Sequence, residues 1–128
     1  MRLLLDTHTL LWWFSDDPAL PKTSRRAIVH PASHVFVSAA SAWEISTKFR
    51  LGKLPSALEL VQDFRGYLAR EGFNDLPVSS DQGVRAGLLP GPLKDPFDRM
   101  LIAQAQSESL SIVSNEAIFD RYGINRIW

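Results

Sequence analysis

The chain has 128 residues, of which 45% are hydrophobic and 22% charged, and its formal net charge is zero. These values indicate one globular domain with its own core, and the absence of cysteine excludes disulfides and thiolate metal sites. No apolar stretch reaches membrane-spanning or signal-peptide length, so we expect a cytoplasmic protein without membrane association.

Short apolar runs and helical patterns alternate through the first 70 residues. Leu3–Leu5 is a continuous apolar run, typical of a buried parallel strand. Asp6 or Thr7 can cap the helix that follows, and Ser38 can cap a later one. The predicted elements are a strand at Leu3–Leu5, helices at Thr9–Phe14 and from Thr23 or Ser24 to Val29, a strand at His34–Val37, and helices at Ser38–Arg50 and Ala57–Arg70.

The same alternation continues to the end of the chain. The predicted elements are a strand at Leu76–Val78, helices at Ser80–Leu88 and Phe97–Ser109, a strand at Ser111–Val113, a short helix at Glu116–Tyr122 and a strand at Asn125–Ile127. This order predicts a single α/β domain over residues 1–128, with a central parallel sheet of four to five short strands flanked by helices. Ligands of such sheets bind beyond the carboxyl ends of the strands.

Acidic residues occupy positions that this topology would bring to one edge of the sheet. They are Asp6, Glu44, Asp95, Asp98 and Glu116. Clustered carboxylates repel one another unless cations neutralise them, and all-oxygen sites usually hold Mg²⁺ or Mn²⁺. Metals held in this way most often act on phosphate esters. With these five charges neutralised, the remaining surface would carry about +5, which permits a polyanionic substrate.

Each acidic position also has a purely structural explanation. Asp6 can be a simple helix cap, and Asp95 followed by Pro96 is a standard helix start. Glu116 can offset a helix dipole, and a lone Glu such as Glu44 is usually solvent-exposed. Only the shared location of these residues favours a functional site.

Other phosphate chemistries lack their usual motifs. A phosphatase with an aspartate nucleophile needs a second acid two residues after Asp6, where His8 stands. The chain has no glycine-rich phosphate loop and no nucleophile elbow. A phosphotransfer domain with Asp6 or Asp98 as acceptor stays an alternative, but the sequence does not place the required lysine near them.

Four stretches, in this order along the chain, resemble PIN domains and especially the VapC-type ribonuclease toxins of bacterial toxin–antitoxin pairs. They are Leu3–His8, Ser38–Ile45, Lys94–Ala105 and Ile112–Glu116. The resemblance implies a metal-dependent endoribonuclease that hydrolyses RNA phosphodiester bonds with Mg²⁺ or Mn²⁺. The implied catalytic residues are Asp6, Glu44, Asp98 and Glu116, with Asp95 as a further metal ligand. The family's fourth acid is usually Asp, so Glu116 departs from the pattern.

Several polar neighbours of these acids are candidates for positioning substrate or water. Thr7 could orient Asp6 or the attacking water, and Asn115 stands beside Glu116. Lys48 follows Glu44 by one helical turn, so it is either an ion-pair partner or a phosphate contact. Arg99, beside Asp98, has the same two alternatives.

The resemblance also implies a cognate antitoxin that covers a groove near the acids and extends a basic side chain towards them. Trp12, Trp13 and Phe14, with the helix Ala57–Arg70, carry more apolar surface than one domain needs, which predicts a homodimer. The competing hypothesis is a PIN-like binding module that is catalytically weak or inactive.

Overall fold

The computed structural model describes all 128 residues and contains one five-stranded, entirely parallel sheet with strand order β3-β2-β1-β4-β5. The strands are β1 (Arg2–Leu5), β2 (His34–Ser38), β3 (Asn74–Leu76), β4 (Ser111–Val113) and β5 (Arg126–Ile127). The predicted α/β fold with a parallel sheet is therefore confirmed.

Seven α-helices and two 3₁₀ turns connect the strands. The helices are α1 (Thr7–Phe14), α2 (Lys22–Val29), α3 (Ala39–Arg50), α4 (Leu58–Gln62), α5 (Phe64–Glu71), α6 (Ser80–Leu88) and α7 (Pro96–Glu108), and the 3₁₀ turns are Pro55–Ala57 and Ala117–Tyr122. None of these helices is both long and apolar enough to cross a lipid bilayer.

The central strand β1 divides the core into two layers. Leu3 and Leu5 face one layer, a cluster of 13 buried residues that also includes Ile45 of α3. Leu4 faces the other layer, a cluster of 8 buried residues that includes Leu101 and Ile102 of α7. Both faces of β1 are buried, which explains why its apolar residues are consecutive rather than alternating.

The helix predicted at Ala57–Arg70 is wrong as one element, because the chain breaks at Asp63. This residue has φ −148° and ψ 64°, outside the helical region. Its side chain accepts a hydrogen bond from the Gly66 N–H at 3.1 Å and so caps α5. A Cβ at Gly66 would collide with the Asp63 carboxylate, so glycine makes room for this cap.

Two other predicted elements are shifted or changed in type. The strand expected at Leu76–Val78 lies at Asn74–Leu76, because Pro77 has no N–H to extend the ladder. Asn74 also ties this edge to β2, donating from Nδ2 to the Val35 carbonyl at 3.0 Å. The helix expected at Glu116–Tyr122 is a 3₁₀ helix over Ala117–Tyr122.

Candidate active site

The sheet brings the five predicted acidic residues to its carboxyl edge. Asp6 directly follows β1, and Glu44 lies in α3, the helix that follows β2. Asp95 and Asp98 are at the beginning of α7, and Glu116 lies beyond the end of β4. We refer to these five residues as the acidic rim.

The electrostatic environment of Asp98 indicates that the other four carboxylates of the rim lie near it. Burial, and then the negative charges of the other four, raise the pKa of Asp98 to about 7 from an ordinary value of 3.8. The contributing charges, in decreasing order of effect, are those of Asp95, Glu44, Asp6 and Glu116. Every acid of the rim therefore acts on one carboxyl group, although these residues are separated by up to 110 positions in the sequence.

Asp6 is both a helix cap and a buried carboxylate. Its Oδ1 accepts a hydrogen bond from the Thr9 N–H at 2.7 Å, and the residue is only 3% exposed. No hydrogen bond within the chain reaches its other oxygen. The structural explanation for Asp6 is thus correct, and it still leaves one oxygen free for another partner.

Glu44 is held by hydrogen bonds at both of its oxygens. Thr7 Oγ1 donates to Oε1 at 2.7 Å, and Lys48 Nζ contacts Oε2 at 2.6 Å. Ser41 Oγ lies 3.0 Å from Thr7 Oγ1 and completes the network. The hydroxyl of Thr7 therefore orients Glu44, and its predicted role in orienting Asp6 or the attacking water stays a prediction. Glu44 is 5% exposed, so the expectation for a lone surface Glu is wrong here.

Asp95 and Asp98 differ in their bonding although they share one helix turn. Asp95 Oδ1 accepts from the N–H groups of Phe97 and Asp98 at 2.9 and 3.0 Å, with Pro96 at the first helical position. It is therefore the N-cap of α7 as well as part of the rim. The Asp98 carboxylate has no hydrogen-bond partner in the chain, which leaves its charge uncompensated.

Glu116 and Asn115 lie at the open side of the rim, and both are exposed. The Glu116 N–H donates to Ser114 Oγ at 3.0 Å, and its own carboxylate caps no helix. The alternative role for Glu116, an acid in the first turn of an α-helix, is therefore not seen. Its carboxylate is free to turn towards the other four.

Arg99 does not face the carboxylates, although it follows Asp98 in sequence. Its guanidinium donates hydrogen bonds of 2.7 to 3.3 Å to four backbone carbonyls. These carbonyls belong to Ala86, Gly87, Leu89 and Leu93. The side chain fixes the end of α6 and the loop that follows to α7, and it forms no ion pair. Its alternative role as a phosphate contact stays a prediction.

An apolar groove adjoins the rim between α3, α6 and α7. Its volume is about 470 Å³, and its walls include Trp43, Phe97 and Val78. Trp43 is 65% exposed and packs edge-on against Phe97, with ring centroids 5.0 Å apart. Each ring directly precedes an acid of the rim in the sequence, so the same helix turns carry both the wall of the groove and the acids.

Trp43 is the exposed aromatic side chain that the sequence analysis missed. Trp12 and Trp13, predicted to present apolar surface, are half-buried and pack against the chain's own core. A signal for Trp43 was present in α3, because a helix that buries Glu44 and Ile45 turns the preceding position outwards.

The donor set of the rim suits a hard divalent cation, because it consists of carboxylate oxygens that repel one another without a counter-charge. In their present rotamers, no three of these carboxylates converge into a complete set of metal ligands. Bonds from Thr9, Thr7 and Lys48 already engage oxygens of Asp6 and Glu44. The residue types fit a metal, and side-chain rearrangement would have to complete the site.

Comparison with known proteins gives one family and a consistent set of folds. Residues 3–125 match the family model described as PIN domain. No curated protein matches the chain.

Several solved structures share the fold. A chain of VapBC2 from Rickettsia felis, bound to a promoter DNA fragment, is 15% identical with a TM-score of 0.73, covering 100% of both chains. A chain of VapBC-1 from nontypeable Haemophilus influenzae is 15% identical with a TM-score of 0.65, covering 98% of this chain and 96% of its own. A chain of FitAcB from Neisseria gonorrhoeae is 19% identical with a TM-score of 0.64, covering 97% and 95%.

Proposed function

Because this chain belongs to the PIN-domain family, we propose that it is a metal-dependent endoribonuclease, the VapC-type toxin of a toxin–antitoxin pair. The observation that supports this proposal is the gathering of five acidic residues at the carboxyl edge of the sheet, with Asp6 and Glu44 buried there. Such a concentration of like charge is costly for the fold, and a function that needs a cation accounts for it.

Asp6, Glu44 and Asp98 would hold Mg²⁺ or Mn²⁺, with Asp95 and Glu116 as further ligands or as contacts through water. When bound, such an ion activates a water molecule and offsets the charge of the scissile phosphate. Asp98 has to be ionised to serve as a ligand, so its pKa of about 7 means that binding near neutral pH releases a proton. Asn115, exposed beside Glu116, would contact the substrate or the attacking water.

We also propose a protein antitoxin as partner. A solved structure of similar fold is described as a toxin–antitoxin complex from Klebsiella pneumoniae, which supports a partner of this class. The groove beside Trp43 offers apolar walls next to a strongly negative rim. A segment with apolar side chains and one basic residue matches both surfaces, and it would block the acids from substrate.

A homodimer is the third part of the proposal. Val84 and Leu88 of α6 are exposed apolar side chains outside the groove, so they stay available to a second copy of the chain. Light scattering on the isolated chain at micromolar concentration should give twice the 14.4 kDa mass of one chain. A strictly monomeric particle would remove this part without affecting the nuclease proposal.

Cleavage of single-stranded RNA by the purified chain is the direct test of the enzymatic activity. We expect cleavage with Mg²⁺ or Mn²⁺, none in EDTA, and none by Asp98→Asn. The control is Asp75→Asn, because Asp75 is an exposed aspartate on β3 outside the rim. If the folded wild type cuts no RNA with either ion, the chain is the inactive PIN-like binding module instead.

A further inference from the structure

Lys48 and Glu44 form the one ion pair of the acidic rim. Their Nζ–Oε2 distance of 2.6 Å is the shortest among the four ion pairs of the chain. The two side chains differ in environment: that of Glu44 is 6% exposed and that of Lys48 is 36% exposed. The pair therefore joins a buried carboxylate to an ammonium group that water can still reach.

Burying a charged carboxylate such as that of Glu44 costs free energy unless a compensating charge lies next to it. Lys48 supplies that charge and lies on the same helix four residues later, where the two side chains meet without backbone strain. Thr7 takes the other oxygen of Glu44 with a neutral hydroxyl and leaves the charge unchanged. Lys48 is thus the only cation that contacts Glu44.

From this geometry we propose that Lys48 is an internal counter-ion that occupies Glu44 in the metal-free protein and competes with a divalent cation for that carboxylate. The inference rests on the proposed metal site. Binding the divalent ion at Glu44 would require the ammonium group to leave Oε2, because two cations on one carboxylate repel each other at short range. Lys48 belongs to the last turn of α3 and is partly exposed, so its ammonium can move into water at little cost.

This arrangement makes Lys48 a positioning residue that weakens metal affinity while it protects the metal-free fold. Removing its charge should therefore have opposite effects on the two states. The metal-bound state gains, because a repelling cation has gone, and the metal-free state loses, because a buried carboxylate has lost its partner. A merely structural ion pair would produce the second effect alone.

Titration with Mn²⁺, followed by the electron paramagnetic resonance signal of the free ion, tests the proposal without RNA. Lys48→Met should bind Mn²⁺ on the order of tenfold more tightly than wild type at fixed pH and ionic strength. Arg50→Met is the matched control, since Arg50 is an exposed basic residue of the same helix turn with no ion-pair partner. Its affinity should stay within about twofold of wild type, because exposed charges are strongly screened.

Thermal melts of the same proteins give a second readout. In EDTA, Lys48→Met should melt below both wild type and Arg50→Met, and saturating Mn²⁺ should remove that deficit, because tighter binding stabilises the folded state more. Lys48→Arg, which keeps the charge, should restore the affinity of wild type. If Lys48→Met does not stay folded, Lys48→Gln removes the charge while keeping a hydrogen-bond donor.

Each result decides the matter. An affinity of Lys48→Met equal to or weaker than that of wild type overturns the inference and leaves the proposed nuclease intact, provided that wild type binds Mn²⁺. If neither wild type nor any variant binds Mn²⁺ at millimolar concentration, the metal site and the inference fail together.

Discussion

The acidic rim has two halves, whose carboxylates differ in hydrogen bonding and in nearby positive charge. In the bonded half, Glu44 is buried, and Thr7 and Lys48 satisfy its oxygens at 2.7 and 2.6 Å. In the open half, Asp98 has no hydrogen-bond partner, and burial together with the surrounding negative charges raises its pKa to about 7. Two carboxylates of one site thus differ in their surroundings: Glu44 has a positively charged partner and Asp98 has none.

Local sequence accounts for this contrast. The bonded half owes its counter-charge to a lysine one turn away on the same helix. The open half has a basic neighbour too, but Arg99 donates its hydrogen bonds to backbone carbonyls. In the bonded half, the charge of Glu44 is balanced within the chain itself. The open half keeps an excess of negative charge that a cation or a proton can neutralise.

Substitution of Asp6, whose carboxylate has one bonded and one unbonded oxygen, should have the largest effect. Asp6→Asn keeps a capping side chain but loses the charge, since Asn caps helices as well as Asp does. Activity should fall more than about a hundredfold, because even indirect partners of metal ligands are worth 10–100-fold. The fold should retain its stability in a urea melt.

Asp6→Ala separates the two roles of this residue. It should be equally inactive and about 1 kcal/mol less stable than Asp6→Asn, because the Thr9 N–H then loses its cap. Equal stability of the two variants would show that the cap contributes nothing.

Arg99 tests whether the open half really lacks a counter-charge. Arg99→Lys keeps the positive charge but cannot span four carbonyls, so the free energy of unfolding should drop by about 2–3 kcal/mol. Urea denaturation measures this loss. If Arg99→Lys were as stable as wild type, the charge itself would matter, and the division of the rim into two halves would break down.

Thr7 tests the bonded half. Thr7→Val removes the hydroxyl that donates to Glu44 at 2.7 Å, and should cost about 1–2 kcal/mol of stability, because a buried charged acceptor loses a partner. Ser41→Ala is the matched control, since it removes only the 3.0 Å contact with Thr7 and should cost less. An equal loss in both variants would mean that the Glu44 bond has no special weight. Denaturation in urea gives both values.

The pH dependence of stability should show the smallest effect and sharpen the contrast at Asp98. Its folded pKa of about 7 lies above the ordinary 3.8, so between these values the folded state holds more protons than the unfolded state. The contribution of Asp98 therefore destabilises the metal-free protein increasingly as pH rises from about 4 to 7 and stays at its full size above that.

Asp98→Asn should remove this contribution. In EDTA, its Tm should exceed that of wild type by about 2–5 °C at pH 8, and the difference should shrink at pH 4. Asp98 is only partly buried, so solvent screening keeps this difference in Tm small. A lower Tm for Asp98→Asn at pH 8 would indicate that the carboxylate stabilises the beginning of α7.

Elements buried on both faces were the most predictable from the sequence. The predicted bounds of β4, Ser111–Val113, match the structure. A short apolar run between polar residues is typical of a strand in the interior of a sheet, where its side chains are buried. The break between α4 and α5 was missed because Val61, Phe64 and Leu68 keep helical spacing across it. Only the cap formed by Asp63 marks the break. Such a local bond from a side chain to the backbone competes with continuation of the helix, and the spacing of apolar residues does not reveal it.

The site divides in the same way. The topology of a parallel sheet is sufficient to place Asp6, Glu44 and Asp98 at one edge. The partner of each hydroxyl or guanidinium depends on side-chain geometry that forms only when distant segments pack. The donors of Arg99 reach carbonyls up to 13 residues away, and nothing in its own neighbourhood indicates them.

The position of β1 has a consequence for the order in which the molecule can be assembled. This strand is made first but lies in the middle of the sheet, and its partner β4 begins only at Ser111. Until the ribosome has delivered that segment, one edge of β1 stays unpaired and the Glu116 carboxylate is missing from the rim. A nascent chain therefore carries an incomplete site until the segment with β4 and Glu116 has been made. The pairing of β1 with β4, which are far apart in the sequence, gives the sheet long-range contacts, and such contacts slow folding compared with locally connected topologies.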